Sequence, residues 1–133
     1  MDLTTFCAIA IGGGTGSVLR YLVANMGQSM TVSEFPLGTL IVNIIGCALI
    51  GLCTAVLVST SIQHREFLRL FLIFGVLGGF TTFSTFTIDT FDLVENGQLR
   101  EAVIYVLLSN VLGLFCAWGF YRIGSILFQP TSL

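Results

Sequence analysis

The chain is 133 residues long, 55% hydrophobic and only 9% charged, where soluble domains carry about 25% charged residues. Five arginines, no lysine and seven acids give a net charge of −2, and the mean hydropathy is +0.97. So little charge excludes a soluble enzyme, a nucleic-acid binder and a disordered chain, and leaves an integral membrane protein.

Charge-free runs set the architecture. Residues 3–19 (17 residues), 35–64 (30), 70–88 (19) and 102–121 (20) contain no Asp, Glu, Lys or Arg. A helix needs about 20 mainly apolar residues to cross a bilayer core of roughly 30 Å. The runs predict an all-α membrane protein with four transmembrane helices over about 3–25, 36–59, 67–94 and 99–127, in one domain covering 1–133. Stretches such as 41–45 and 103–108 lack the apolar/polar alternation of a β-barrel strand.

In chain order, the first span has only Asp2 ahead of it, without the positive start of a cleaved signal. Gly12-Gly13-Gly14-Thr15-Gly16 lacks the lysine of a phosphate-binding loop. Gly12 and Gly16 instead give the G-x-x-x-G spacing of close helix packing, as do Gly75 and Gly79, and Ser109 with Gly113 is a variant. Arg20-Tyr21 follows late in the span. Its arginine either snorkels to the interface or sets a permanent positive charge at the mouth of an anion path.

Residues 27–35 form a polar loop, and Pro36 suits the first turn of the second helix. Asn43 lies seven residues into that helix, between Val42 and Ile44. A buried amide needs partners, so Asn43 either bonds a neighbouring helix or holds its NH₂ group for an anion. Residues 59–66 link helices two and three.

Helix three carries Gly78-Gly79-Phe80-Thr81-Thr82-Phe83-Ser84-Thr85-Phe86. Adjacent glycines and threonines in mid-span weaken an α-helix, so a break is expected here. Freed backbone carbonyls are tolerated in a membrane only where protein buries them or they line a cavity. Phe80, Phe83 and Phe86 share a helix face. That stripe is either packing or a row of ring edges, which are electropositive. Ser84, Thr85 and Thr87 add O–H donors. Donors without a fixed positive charge suit an anion path better than a cation path.

The turn at 95–98 contains Asn96-Gly97, a strong turn signal. Cys7, Cys47, Cys53 and Cys116 read as packed free thiols, and His64 as a solvated loop residue. Asp89, Asp92 and Glu95 mark a helix end or a vestibule rather than acid–base catalysis. With the N-terminus inside, three arginines (Arg65, Arg69, Arg122) face two (Arg20, Arg100). That is almost no positive-inside bias. Either one orientation is weakly specified or both insert, and the second case permits an antiparallel dimer.

Three motifs in order resemble the small Fluc (CrcB-type) fluoride channels: Gly12-Gly13 through Gly16 to Arg20-Tyr21, Gly38-Thr39-Leu40 to Val42-Asn43, and Gly78 to Phe86. The resemblance spans nearly the whole chain. It implies a passive, non-enzymatic channel in the cell membrane that exports fluoride and lowers its toxicity. It implies an antiparallel, dual-topology homodimer with two pores and a structural Na⁺ at the dimer centre. The ion would be held by the backbone carbonyls of Gly78 and Thr81 from both subunits. Phe83 and Phe86 would line the pores, Asn43 would hydrogen-bond fluoride, and Arg20 would sit at a vestibule. Tyr105 and Ser109 would follow the polar track, supported by Ser84 and Thr39, and Asp89 matches a frequent acid. The chain departs at Gly113, where some members carry a second hydroxyl. Two other classes compete: a dual-topology small-molecule or proton-coupled exporter, and a non-transporting scaffold with its glycine motifs as dimer faces. The exporter would need a membrane-embedded acid early in the chain, and the first span has none.

Overall fold

A computed structural model describes residues 2–59 and 64–128. Among the described residues, four helices are long and apolar enough to cross a membrane: α1 (Leu3–Gln28), α2 (Leu37–Ser59), α3 (Arg65–Glu95) and α4 (Leu99–Phe128). Residues 60–63 of the linker expected at 59–66 lie outside the described residues.

Asp2 caps α1 by accepting a hydrogen bond from the Thr5 N–H at 3.0 Å. Hydrogen bonding from Thr5 holds its carboxyl below the usual carboxylate range. The helix continues to Gln28, three residues past the expected end, because its last turn is fastened to α2. A Cβ on Gly27 would lie 3.0 Å from the Gly38 Cα. The Gln28 amide donates to the Phe35 carbonyl at 3.2 Å and accepts from the Gly38 N–H at 3.3 Å. Pro36 sits one residue before α2, and its carbonyl accepts the Leu40 N–H.

Helix α3 is built in pieces. An α-helical start (Arg65–Arg69) widens into a π-helix (Leu70–Leu77) and narrows again at Gly78–Phe80. Thr81 (φ −78, ψ 157) and Thr82 (φ −149, ψ 116) are extended. The helix restarts at Phe83–Glu95, with the Thr82 side chain accepting from the Thr85 N–H. Two adjacent β-branched residues at the interruption fit its extended backbone. Gly97 (φ 75) ends the helix. The Gln98 and Gly97 N–H groups bond the Leu93 and Val94 carbonyls, a Schellman closure that glycine's positive φ permits.

The break lets α3 change neighbours. Its first half packs on α1, its second half on α4, and α2 runs along α4. The α1–α3 seam is glycine against backbone. A Cβ on Gly12 would come 2.7 Å from the Phe71 carbonyl oxygen, a Cβ on Gly16 would overlap the Val76 carbonyl, and one on Gly79 would overlap that of Gly13. The glycine motifs are thus consumed inside one protomer, which removes the feature that made them dimer faces in the scaffold reading. Tyr105 and Val42 are fully buried, whereas Phe74, Phe91, Phe115 and Trp118 stay exposed, as lipid-facing side chains would.

Gly16→Ala should therefore force α1 and α3 apart and cost about 1–3 kcal/mol. Gly14→Ala, where a Cβ meets nothing within 4 Å, should leave stability within about 0.5 kcal/mol. Unfolding in detergent, both variants against the parent, measures the difference.

Candidate ion pathway at the break in helix three

The interruption at Thr81-Thr82 removes helical hydrogen bonds, and side chains from other helices replace them. The Thr82 N–H donates to Asn43 Oδ1 at 2.9 Å, and Asn43 Nδ2 donates to the Thr82 carbonyl at 3.0 Å. The Asn43 amide thus pairs with the N–H and C=O of one residue, as a neighbouring strand would. The backbone N–H fixes which end of the amide is oxygen. One Nδ2 proton bonds Thr82, and the amide carries a second.

Arg20 takes the other end of the peptide whose N–H bonds Asn43. Its Nη1 donates to the Thr81 carbonyl at 3.3 Å, a cation at the negative end of a helix. Thr82 is the hub of the hydroxyl run. Its Oγ1 accepts from the Thr85 N–H at 3.2 Å, donates to Thr85 Oγ1 at 3.0 Å and lies 3.2 Å from Ser84 Oγ.

Two cavities flank the break. One, of about 330 Å³, is walled by Asn43, Gly78, Thr81, Phe83, Phe86 and Ser109, with Cys47 and Asn110 beside them. None of its lining residues carries a charged side chain. Ser109 Oγ is buried with no hydrogen-bond partner among the described residues. Phe83 is 79% exposed and its ring centroid lies 5.5 Å from that of Phe86, tilted by 39°. The other cavity, of about 370 Å³, is bordered by Ser17, Arg20, Tyr21, Thr39, Thr82 and Thr85. Thr82 borders both cavities.

Asn43, Phe83, Phe86 and Ser109 are thus brought together, with Gly78 and Thr81 on the same wall. Thr39 lies on the Arg20 side. Tyr105 is fully buried behind Phe86 (centroids 5.2 Å apart), and its hydroxyl donates to Asp89 Oδ2 at 3.2 Å. Ser84 is exposed and tied to Thr82 rather than to the cavity wall. Cys7 is exposed rather than packed. Sequence reasoning missed Thr82 as an individual residue, although a Thr-x-x-Thr spacing that opens a new helix after an extended pair is a capping signal.

Residues 7–120 match the family described as CrcB-like protein, Camphor Resistance. The chain is 47% identical over 116 residues to a fluoride-specific ion channel FluC of Geobacter sulfurreducens, covering 87% of this chain and 93% of that one. It is 46% identical over 124 residues to the FluC of Paracoccus denitrificans (93% and 97%). To that of Thermus thermophilus it is 40% identical over 122 residues (92% and 96%).

Replacing Asn43 by Leu orphans a buried N–H and a buried C=O, at about 1–3 kcal/mol each. Asn43→Leu should lose about 2–6 kcal/mol in unfolding measurements, and amide exchange at Thr82 should accelerate while the distant Leu93 amide keeps its protection.

These matches span most of this chain and nearly all of each relative, and the chain belongs to the CrcB-like family of membrane proteins.

Proposed function

We infer that this chain is a passive, fluoride-selective channel that lets fluoride leave the cell and lowers its toxicity, built as one membrane domain over 1–133. The observation that carries the reading is the 330 Å³ cavity at the break. It offers the buried Ser109 hydroxyl, which has no partner among the described residues, the second Asn43 amide proton and the Phe83 and Phe86 rings, with no fixed positive charge on its walls. The names of the relatives supply the ion.

The chemistry follows from the residues. Fluoride is small and strongly hydrated, so a narrow path excludes it unless donors replace its water. A hydroxyl, an amide N–H and electropositive ring edges do so without a full charge. A row of weak sites lets an ion enter and leave again. Phe83 and Phe86 narrow the path and reject the larger chloride. Arg20, beside Thr39 in the second cavity, draws anions toward the break. Tyr105, tied to Asp89, backs the Phe86 ring and holds its tilt.

The working unit in this reading is an antiparallel homodimer with two pores. Gly78 is exposed on the protomer, and the Thr82 N–H that would bond its carbonyl in an unbroken helix is turned to Asn43. Lipid does not tolerate an uncovered broken backbone, so a second copy is the cover that fits. The near-even arginine distribution permits it to insert in the opposite sense. Carbonyl oxygens are suitable donors for a hard cation. Gly78 and Thr81 would hold a structural Na⁺, which when bound neutralises the converging carbonyl dipoles. Thr81 keeps a second lone pair beside its Arg20 bond.

Purified protein in liposomes should release trapped fluoride rapidly and chloride not at all. Phe83→Ile should cut the fluoride rate by about tenfold or more, the effect of losing about 1.4 kcal/mol of stabilisation along the path, while the dimer persists by size exclusion. Equal release of both anions contradicts the selectivity, and an unchanged Phe83→Ile rate contradicts the assignment of the path.

A further inference from the structure

Cys47 stands on the wall of the same cavity. Cys47 follows Asn43 by four residues on α2, and Gly113 follows Ser109 by four on α4. Each pair shares a helix face, and Asn43, Cys47 and Ser109 all line the cavity. A Cβ built on Gly113 would stand 3.3 Å from Cys47 Sγ. That is tighter than most real Cβ contacts, so the thiol borders the space that a side chain at position 113 would fill. Cys47 is half-buried and free. An S–H group is a weak hydrogen-bond donor.

We propose that the Cys47 thiol is a further donor on the anion path, one helical turn beyond Asn43, in the space that Gly113 leaves open from the opposite helix. The proposal rests on the fluoride-channel reading and adds a specific residue to it. The donors then form a short ladder across the α2–α4 seam: the Asn43 amide, the Ser109 hydroxyl and the Cys47 thiol. A weak donor at this rung suits release, since it replaces some of an anion's water without forming a deep trap. Gly113 makes room for it, because a second side chain there would press on the sulfur.

Two measurements test this in liposomes. The first uses a parent with Cys7, Cys53 and Cys116 changed to Ser, leaving Cys47 as its single thiol, and methyl methanethiosulfonate as the probe. The Cys47 thiolate attacks the reagent's sulfenyl sulfur and a new S–S bond to a methylthio group forms. Methanesulfinate leaves with the electrons of the broken S–S bond, and the thiol proton passes to water. Mass spectrometry should find Cys47 labelled, fluoride release should fall about tenfold, and trapped fluoride should slow the labelling.

The second measurement moves the donor to the other helix. Cys47→Ala should slow fluoride release about five- to tenfold, as expected for one lost hydrogen bond. Cys47→Ala with Gly113→Ser should restore it to within about twofold, since a hydroxyl then fills the same space from α4. A labelled Cys47 with unchanged release, an unlabelled Cys47 in a conducting parent, or a double variant no faster than Cys47→Ala overturns the proposal and leaves the channel reading standing. An unsubstituted protein that releases no fluoride at all overturns both.

Discussion

The pairing of the Asn43 amide with the Thr82 peptide is the contact on which the rest of the molecule depends. A chain that breaks a helix inside a bilayer exposes N–H and C=O groups that water cannot reach. Here one amide side chain, from another helix, bonds both backbone polar groups of Thr82 in the break. Arg20 reaches the Thr81 carbonyl, and the Thr82 hydroxyl caps the helix that follows. With these groups satisfied, the break becomes a fixed piece of structure. The Gly78 carbonyl, the Phe83 ring and the two cavities all take their positions from it.

The glycine seam makes that arrangement affordable. Because Gly12 and Gly16 bring α1 into backbone contact with the first half of α3, the piece before the break is held without help from the piece after it. The second half can then turn to α4, where Phe86 lies against buried Tyr105. The protomer buries few large side chains of its own, so its stability inside a bilayer rests on close packing and satisfied backbone rather than on a hydrophobic core. Helices in lipid lack the hydrophobic drive that assembles soluble bundles.

Much of this was legible in the sequence. Charge-free runs locate the four helices, because charge at the bilayer centre is expensive whatever the tertiary fold. Adjacent Gly78-Gly79 and Thr81-Thr82 announce the interruption, since both pairs weaken a helix locally. Asn96-Gly97 marks its turn because only a residue tolerant of positive φ closes it. The partners of polar side chains were less legible. Asn43 and Thr82 are 39 positions apart, and Arg20 and Thr81 are 61 apart. Such pairings depend on how the helices rotate, which periodicity along one helix does not encode. The π-helical widening at Leu70–Leu77 has no visible signal in an all-apolar stretch. The partner of the Tyr105 hydroxyl was equally hidden: it donates to Asp89, in a ring orientation packed by Phe35 and Phe86.

The most direct measurement is solid-state NMR of the labelled protein in bilayers, reading Thr82 backbone shifts and contacts between Asn43 Cγ and the Thr82 amide nitrogen. Extended-backbone shifts at Thr81 and Thr82, with a strong Asn43–Thr82 contact, are the expected result. Helical shifts running unbroken from Gly78 to Thr85, with no such contact, would contradict it and leave the cavity without the break that shapes it.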